Sequence, residues 1–418
     1  MFMVNDGVNM IYHIVNKAQM PAVEALWDYC FEKREEPFFK YYFEEYCGKD
    51  NLVMAGFEEE KGAERLKTML HLNPYMLRIR GVDQLAPYLV GIATAPEARG
   101  KHLLRGLLQA GFELLRARGY CFATLMPIYA GIYLPYEFSF CYEKLRYSWS
   151  VGSLALPRAT LSTVALEVEQ MPIATEGQAY ALQVQELAAP IYEDLLATAH
   201  AMPKRTPFQW KKLLSVHALE NLRCAYVRAG EEICGYMFYR IKDHVFEIQE
   251  LLAKSGEAKL ELLRFVERQR SEADTAVWLA EAWDKTYLFL PDSNKAPQKL
   301  PFMMARCVDA REALNRLTLP AELRDMKNDV VLLLTDKLLD RNNHLLKLTL
   351  QDDKLDVQST LEQEQVVMDM AAFTQLYLGF LNATELYEAG RLRCQDAEKL
   401  AFLDRLFPKQ HNWINEYF

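Results

Sequence analysis

Several features that would assign this chain to a class at once are absent from its sequence. Its eight cysteines form no C-x-x-C pair and its histidines show no metal-ligand spacing, so we expect reduced structural thiols and no metal site. No run of about 18 apolar residues occurs, so no membrane-spanning helix is expected. The first residues lack a basic stretch followed by an apolar core, so we expect no secretory signal and a cytoplasmic protein.

Positive charge is also scarce. The 418 residues include 48 lysines and arginines against 57 aspartates and glutamates, a formal net charge of −9. Nucleic acid is not expected as the main partner, because it requires a basic face. An acidic surface would suit a cationic ligand, but a mildly acidic balance is also a normal feature of soluble proteins, and we prefer this second interpretation. The length, with 51% hydrophobic and 25% charged residues, predicts a soluble globular protein of about two to four domains.

One stretch combines strand, loop and helix signals around a candidate phosphate site. The apolar run Tyr88–Thr94 predicts a strand buried on both faces, and Pro96 then opens a turn into an amphipathic helix. The apolar face of that helix recurs at helical spacing, at Leu103, Leu104, Leu107, Leu108, Phe112 and Leu115. Arg99, Lys101 and Arg105 lie near its first turn, where the helix dipole disfavours cations. A bound anion that shares this site with the free backbone N–H groups would explain these cations.

Residues 21–47 alternate carboxylates with aromatic rings. The stretch predicts one or two helices, broken at Pro37. Carboxylates beside aromatic faces are what a cationic amine needs, through ion pairing and cation–π contact. The residues that would form such a wall are Asp28, Glu32, Glu36 and Phe38. A solvated acidic face backed by an aromatic core explains the same pattern.

The loop before the amphipathic helix resembles the cofactor loop of the GNAT superfamily of acetyl-CoA-dependent N-acetyltransferases. That family carries Arg/Gln-x-x-Gly-x-Gly/Ala where a buried strand meets a helix. This chain has, at that point, Arg99, Gly100, Lys101, His102, Leu103 and Leu104. His102 and Leu104 occupy the two glycine positions, so the loop has a bulkier wall than the family pattern. An ordinary buried strand–helix unit with a basic helix start is the alternative interpretation.

The resemblance implies acetyl-CoA as the co-substrate. The backbone N–H groups from Arg99 through Leu104 would hold its pyrophosphate, and Ile92 and Thr94 would offer backbone groups along the pantetheine. No metal is required, since a polarised carbonyl and a correctly aimed amine supply most of the barrier reduction. We expect His102 to fill the place of the missing glycine beside solvent.

A second resemblance lies further along, in Tyr133-Leu134-Pro135-Tyr136-Glu137-Phe138. It is similar to the pattern Tyr-x-x-Phe/Tyr-Gly-Phe/Tyr of the Eis-like (enhanced intracellular survival) acetyltransferases, on the strand that follows the cofactor helix. Glu137 stands where that family has glycine. The resemblance implies that Tyr133 is the general acid, because a phenol with a pKa of about 10 can protonate the departing thiolate at neutral pH. Tyr129, Tyr136 and Tyr142 compete for the role, and packing with a hydrogen-bonded tip is the alternative.

The last residue is aromatic, as in Eis-like proteins, where the free α-carboxylate is assigned the role of general base. The resemblance implies this role for Phe418. A carboxylate with a pKa of about 3.5 is a poor base toward an ammonium group at about 10, so ion pairing and a water relay are the more plausible chemistry. A disordered tail is the alternative, but Trp413, Ile414 and Tyr417 are too apolar to stay in water, and we expect a docked terminus.

The chain as a whole resembles Eis-like proteins in its domain order, which implies an α+β fold. We expect a catalytic GNAT domain at 1–150, a degenerate GNAT-like domain at 151–297 and a sterol carrier protein-like α/β domain at 298–418. The second domain carries AKSGEAK in place of an arginine-led glycine loop, so we expect it to bind no CoA. In the third, strands are predicted near 330–336, 344–350 and 354–358, followed by one helix over 368–390 and another over 396–407.

These resemblances imply an enzyme that transfers acetyl from acetyl-CoA to a primary amine of a cationic acceptor, either an aminoglycoside-like polyamine or a lysine amine. Family members of this kind assemble as hexamers, so we expect a homohexamer. No membrane partner is expected. The alternative from another class is a non-catalytic protein that senses acyl-CoA or binds a lipid.

Overall fold

The structure, a computed structural model, describes residues 2–3, 10–60, 62–157, 165–171, 177–323 and 326–417. These residues form two compact units. The first contains the chain up to Cys141, then Met303–Asn412 and Tyr417; the second contains Tyr142–Phe302 and Trp413–Glu416. Both units combine helices with largely antiparallel sheets, so the predicted α+β class is confirmed.

Residues 2–150 contain ten strands and three α-helices within the described ranges. The strands are β1 (Phe2–Met3), β2 (Met10–Ile14), β3 (Leu52–Glu60), β4 (Ala63–Asn73), β5 (Met76–Ile79), β6 (Val82–Leu85), β7 (Tyr88–Thr94), β8 (Phe122–Leu125), β9 (Ser139–Phe140) and β10 (Glu143–Ser150). The helices are α1 (Met20–Cys30), α2 (Pro37–Tyr41), which a π-helical turn at Tyr42–Tyr46 extends, and α3 (Leu103–Ala117).

The described residues from 165 onward supply the remaining elements. Up to residue 301 these are β11 (Glu167–Met171), α4 (Gly177–Leu196), β12 (Met202–Pro203), α5 (Pro207–Leu219), β13 (Arg223–Ala229), β14 (Glu232–Lys242), β15 (Val245–Ala253), α6 (Gly256–Glu267), β16 (Thr275–Glu281) and β17 (Gln298–Pro301). Then follow β18 (Met304–Cys307), α7 (Ala310–Asn315), β19 (Asn328–Thr335), β20 (His344–Gln351), β21 (Lys354–Ser359), β22 (Val366–Asp369), α8 (Met370–Tyr377), α9 (Ala383–Glu388), β23 (Leu392–Cys394) and α10 (Ala397–Leu406).

The first unit is built on two large sheets and the antiparallel pair β5–β6. An eight-stranded sheet has the order β1-β2-β3-β4-β7-β8-β18-β9, and a five-stranded sheet has the order β21-β20-β19-β22-β23. Helix α3 packs on β2, β3 and β4, while α1 packs on β4 and β7. The apolar face predicted for the cofactor helix lies in this core, where Leu107, Leu108 and Phe112 are buried.

The second unit is built on a seven-stranded sheet with the order β11-β13-β14-β15-β16-β10-β17. Helix α6 packs on β11, β13, β14 and β15, and α4 packs on α5, β14 and β15. Strand β10 pairs with β16 from Lys144↔Glu281 to Ser150↔Thr275, so the strand at Glu143–Ser150 belongs to this sheet. The domain boundaries near 150 and 297 stay predictions.

Most elements lie where periodicity predicts them, with one difference among the C-terminal helices. The predicted strand Tyr88–Thr94 and the amphipathic helix after it are observed as β7 and α3. The single helix predicted over 368–390 is wrong: it is α8 and α9, because Gly379 takes a left-handed φ of +66° and Asn382 caps a new helix. Pro37 begins helix α2, as proline at a first helical position does.

Candidate active site

The eight-stranded sheet of the first unit opens between β7 and β8. These strands run parallel and share a single register pair, Tyr88↔Thr124, although β7 continues to Thr94. On its other edge β7 pairs with β4 as far as Thr68↔Thr94. Beyond Tyr88 the β8-facing edge of β7 is therefore open to hydrogen-bond a ligand backbone. Ile92, predicted to line the pantetheine, lies on this open part of the strand.

A bulge in β7 lies beside this opening. Gly91 and Ile92 stand opposite the single residue Leu70, because Val90 pairs with His71 and Ala93 with Met69. Gly91 has a φ of +57°, and a Cβ atom there would lie 2.4 Å from Cζ3 of Trp27. Only glycine therefore fits this position of the strand.

A buried polar network, which no sequence pattern indicated, lies behind the bulge. The Tyr42 hydroxyl shares a hydrogen bond of 2.8 Å with Nδ1 of His71 and accepts one of 2.9 Å from Asn51. The Trp27 indole stacks on the Tyr42 ring at 4.7 Å. Burial lowers the pKa of His71 to about 3, so this histidine is neutral at physiological pH. These contacts fix β4 and α1 behind the open strand.

The predicted cofactor loop joins β7 to α3. Gly100 and His102 have left-handed φ values of +76° and +57°, and α3 begins directly after His102. The first backbone N–H groups of a helix have no partner inside it, so the α3 start is suited to an anion such as a diphosphate. His102, which stands where the family pattern has a glycine, is exposed.

The other loop side chains differ in their environments. Lys101 is exposed, and Nε of Arg99 donates to the Thr94 carbonyl at 3.3 Å. Leu103 is buried and Leu104 packs against the core, so neither side chain covers the backbone N–H groups from the solvent side. The backbone of this loop thus fits a phosphate group.

Tyr133 lies between two short 3₁₀ turns, Ala130–Ile132 and Leu134–Tyr136. The expectation that it lies on a strand is wrong, because Pro135 cannot donate within a ladder and the chain turns twice here. Its ring packs edge-on against Phe138, with centroids 6.0 Å apart. Burial raises the pKa of Tyr133, so the phenol keeps its proton at neutral pH.

Buried charged side chains contact the turn that carries Tyr133, and the sequence did not predict them. Glu137 takes the left-handed conformation, with a φ of +61°, and its buried carboxylate lies 3.6 Å from Nη1 of Arg306. Arg306 also donates to the Tyr136 carbonyl and, by two contacts of 2.7 Å, to Asp336. No sequence signal linked these positions, since Arg306 follows Glu137 by 169 residues and comes from β18.

The predicted acceptor wall lies at the end of α1 and in the loop after it. The carboxylate of Asp28 accepts from the Arg34 backbone at 2.9 Å, and that of Glu32 accepts from the Trp27 indole at 2.9 Å. Both carboxylates are half-buried. They order this loop, and carboxylate oxygens have further lone pairs for a cationic ligand.

The remaining predicted wall residues lie on the next helix. Glu36 precedes α2, is exposed and accepts from the Lys33 backbone at 3.2 Å. Phe38 is half-buried and stacks on Tyr42 at 6.1 Å.

The end of α1 lies beside the cofactor loop. The Arg99 guanidinium carbon is 5.9 Å from the centre of the Tyr29 ring, and Nη2 of Arg99 is 3.9 Å from Sγ of Cys30. The structure thus brings the Asp28 end of the acidic segment next to the predicted phosphate loop.

Phe418 lies outside the residues that the structure describes. The preceding residue, Tyr417, accepts a hydrogen bond of 3.3 Å at its carbonyl from the Tyr88 hydroxyl. Tyr88 is the residue at which β7 and β8 separate. The chain therefore reaches the opening of the sheet one residue before its end.

Clusters of metal-ligand side chains and membrane-spanning helices are both absent from the part of the chain that the structure describes. No group of three or more histidine, cysteine, aspartate or glutamate side chains there has the arrangement of a metal site. No helix among those residues has both the length and the apolarity to cross a membrane.

Comparison with protein-family models gives the class of the chain. A model described as an acetyltransferase (GNAT) domain matches residues 12–141, and another of the same description matches residues 201–307. A model described as a sterol carrier protein domain matches residues 310–415. The chain is therefore a GNAT-superfamily protein with two acetyltransferase domains and a sterol carrier protein domain. No match is found among curated proteins.

Solved structures share this fold over the whole length. A probable N-acyltransferase from Enterococcus faecalis V583 is 20% identical, with a TM-score of 0.83, 98% of this chain covered and 100% of the other. A GCN5-related N-acetyltransferase from Anabaena variabilis ATCC 29413 is 16% identical, with a TM-score of 0.78 and the same coverage. Eis1 from Mycobacterium abscessus is 18% identical, with a TM-score of 0.73 and the same coverage. The chain is thus Eis-like in domain order and fold, which confirms the resemblance.

Proposed function

We propose that this protein transfers acetyl from acetyl-CoA to a primary amine of a cationic acceptor, an aminoglycoside-like polyamine or a lysine amine. Tyr133 acts as the general acid, and the Phe418 carboxylate acts as base or water relay. The observation that carries the proposal is the opening between β7 and β8 beside the left-handed loop at the start of α3. An unpaired strand edge and free helix N–H groups suit the amide chain and the diphosphate of one extended ligand.

The chain itself supplies binding and orientation, and acetyl-CoA supplies the activated acetyl group. In the proposed arrangement Ile92 and Thr94 hydrogen-bond the pantetheine through their backbones. The backbone from Arg99 through Leu104 holds the diphosphate. Aligning an amine with the acyl carbon in such a site contributes about 7–11 kcal/mol to the rate enhancement.

Tyr133 is proposed to donate a proton to the leaving thiolate. Its raised pKa supports an acid that is fully protonated before transfer. Tyr129, in the same turn, is exposed and serves as a comparison.

The acceptor amine is proposed to bind along Asp28, Glu32, Glu36 and Phe38. An ammonium group gains ion pairing from the carboxylates and cation–π attraction from the ring. The Phe418 carboxylate then pairs with the reacting ammonium and passes its proton through water. The contact between Tyr417 and Tyr88 supports a terminus near the opening.

Three further properties belong to the same proposal. We expect a cytoplasmic protein that assembles as a homohexamer. Light scattering of the purified protein would measure the number of subunits. The second GNAT domain is expected to bind no CoA, because the AKSGEAK loop has no arginine-led glycine pattern.

The test is thiol release from acetyl-CoA with a panel of aminoglycosides, polyamines and lysine peptides. Tyr133→Phe is expected to lower kcat about 10²- to 10⁴-fold, since the general acid is lost. Tyr129→Phe is the matched control and is expected to leave kcat unchanged. A chain extended by a few residues past Phe418 is expected to lose activity, while an extension before Met1 does not matter.

Two outcomes would contradict the proposal. If no amine releases thiol although acetyl-CoA binds, the protein is a non-catalytic acyl-CoA sensor or lipid-binding protein. If the extended chain is fully active, the proposed transferase activity is retained, but the proposed role of the Phe418 carboxylate is wrong.

A further inference from the structure

The second unit repeats the opening of the first sheet. Strands β15 and β16 pair in parallel from Val245↔Thr275 to Ile248↔Trp278, and then separate although they continue to Ala253 and Glu281. Gln249 is an extra residue in β15, because its neighbours pair with successive residues of β14. The second GNAT domain therefore keeps both the fork and the bulge that mark the candidate cofactor site of the first. We call this place the second fork, formed by β15 from Gln249 onward and the end of β16.

The second fork holds a segment of the chain itself. The Asn415 side chain donates from Nδ2 to the Gln249 carbonyl and to Oε2 of Glu250, both at 3.0 Å. Its Oδ1 accepts a hydrogen bond of 2.6 Å from Nζ of Lys144, which lies on β10 beyond β16. The C-terminal segment Trp413–Glu416 thus hydrogen-bonds the bulge carbonyl of the second fork, whereas β7 of the first sheet has an unpaired edge beyond Tyr88.

A buried arginine links the fork to the same segment. Arg205 donates from its terminal nitrogens to Glu250, at 2.8 and 2.7 Å, and from Nε to Glu416, at 2.7 Å. Its guanidinium carbon lies 4.0 Å from the centre of the Tyr192 ring and 4.7 Å from that of Trp210. Burial alone raises the pKa of Glu250, but Arg205 outweighs it and the pKa falls to about 2. Glu250 is therefore charged at physiological pH and holds the arginine that binds the tail.

The segment is buried along its whole length. Trp413, Ile414, Asn415 and Glu416 are 3, 1, 4 and 5% exposed. The Trp413 backbone N–H donates to the His200 carbonyl at 3.1 Å, and its ring belongs to the core cluster around α4 and α5. Burying a large indole and an isoleucine contributes several kcal/mol, and the amide and carboxylate that follow meet matched partners. The segment that contacts the second fork thus consists of two apolar residues, an amide and an acid.

We propose that the second fork is a binding site for the chain's own C-terminal segment, Trp413–Glu416, with Arg205, Glu250 and Lys144 as its recognition residues. The degenerate domain keeps its fork to hold this peptide instead of acyl-CoA. The docking site does not depend on any catalytic role of Phe418.

Two substitutions in the full chain test the docking site. Glu250→Gln keeps the side-chain shape and removes the charge, and Arg205→Lys keeps the charge and loses the two-point geometry. Carboxypeptidase release of terminal residues and hydrogen exchange of residues 411–417 both report docking without reference to activity. Either variant is expected to raise both rates about tenfold or more. Arg228→Gln, which breaks a half-exposed pair with Glu169 in the same sheet, is the matched control and is expected to change neither rate.

Hydrogen exchange of α6 in the same samples reports whether the second unit stays folded. Unchanged tail rates in both variants, with α6 still protected, would overturn the proposal. If α6 loses protection, the variants have unfolded and Glu416→Gln decides instead. That substitution removes the charge of the tail and leaves the second fork intact. It is also expected to raise both rates about tenfold or more, and unchanged rates would overturn the proposal.

Acetylation assays on the same variants separate this inference from the proposed function. A released tail with a lowered kcat and an unchanged KM for acetyl-CoA supports both. A released tail with an unchanged kcat leaves the docking site standing and removes the role of the Phe418 carboxylate.

Discussion

The Arg306 guanidinium is fully buried between two carboxylates, directly beneath the turn that carries Tyr133. It makes two contacts of 2.7 Å with Asp336, which is also fully buried, and lies 3.6 Å from Glu137. Asp336 in turn accepts from the backbone N–H groups of Leu338 and Leu339. Buried ion pairs contribute little net stability against apolar residues, but losing one partner leaves an uncompensated charge. The arginine is therefore expected to matter far more than a surface ion pair.

Replacing this arginine tests that expectation. Arg306→Met is expected to lower the free energy of unfolding by about 3–5 kcal/mol, because two carboxylates lose their cation. Arg341→Met is the control: its side chain is 74% exposed, its nearest carboxylate oxygen on Glu113 is 4.0 Å away, and a change below about 0.5 kcal/mol is expected. Urea unfolding measures both. A loss below about 1 kcal/mol for Arg306→Met would show that the site relaxes around the missing charge.

Glu137 is expected to make the stability of the folded protein depend on pH. Burial, and then the charge of Asp336, raise the pKa of Glu137 from 4.5 to about 7. The folded protein thus holds a proton that the unfolded chain has released, so the stabilisation is full below about pH 4.5 and is lost as the pH rises to about 7. Glu137→Gln does not titrate. The stability of the wild type relative to this variant is expected to fall by about 1–3 kcal/mol between pH 5 and pH 8. A difference that is constant with pH would contradict a raised pKa.

Two residues of this chain stand where the family patterns have glycine. His102 and Glu137 replace glycines of the two patterns, and both keep a left-handed backbone, with φ values of +57° and +61°. The family pattern thus marks positions with a backbone conformation that glycine adopts readily. It did not predict the environment, because His102 is exposed while Glu137 is buried against Arg306, a partner 169 residues away that local sequence cannot indicate.

At the scale of elements, the bulge in β7 depends on Gly91. Gly91→Ala is expected to lower the free energy of unfolding by more than about 2 kcal/mol, since it adds left-handed strain to a clash with Trp27. Displacing the bulge is also expected to weaken acetyl-CoA binding about tenfold or more, measured by calorimetry. Gly81→Ala is the control: its φ is +76°, no heavy atom lies within 4 Å, and only strain of about 1 kcal/mol is expected. Equal effects of both substitutions would exclude a special role for the bulge.

Elements with strong periodicity could be predicted from the sequence, and those fixed by tertiary contacts could not. β7 and α3 follow from an apolar run and an apolar stripe. The turn that carries Tyr133 is expected on a strand because the family pattern lies on one, while Pro135 and the packing of Tyr133 on Phe138 determine its course. The opening between β7 and β8 forms because these strands stop pairing after Tyr88, and no local sequence pattern encodes this separation.

At the scale of the whole molecule, the first sheet is completed by a strand from far along the chain. β18 lies between β8 and β9, pairing from Met304↔Leu125 to Cys307↔Phe122 and from Met304↔Phe140 to Ala305↔Ser139. Sequence order placed this strand at the start of the third domain. Its insertion into the first sheet could not be predicted, because strand pairing over such a separation depends on the whole fold.

This insertion predicts how fragments of the chain behave. Residues 1–150 alone lack β18, so two strand edges and the core under Met304 are left open and Glu137 loses Arg306. We expect this fragment to show no dispersed amide NMR spectrum and no cooperative unfolding. Residues 1–141 joined by a short Gly–Ser linker to residues 303–412 are expected to show both, since the Cys141 N–H donates to the Met303 carbonyl at 3.1 Å and the ends therefore meet. A dispersed spectrum for residues 1–150 would mean that β18 adds to a sheet already able to fold, and the two halves of the first unit would then be separate domains.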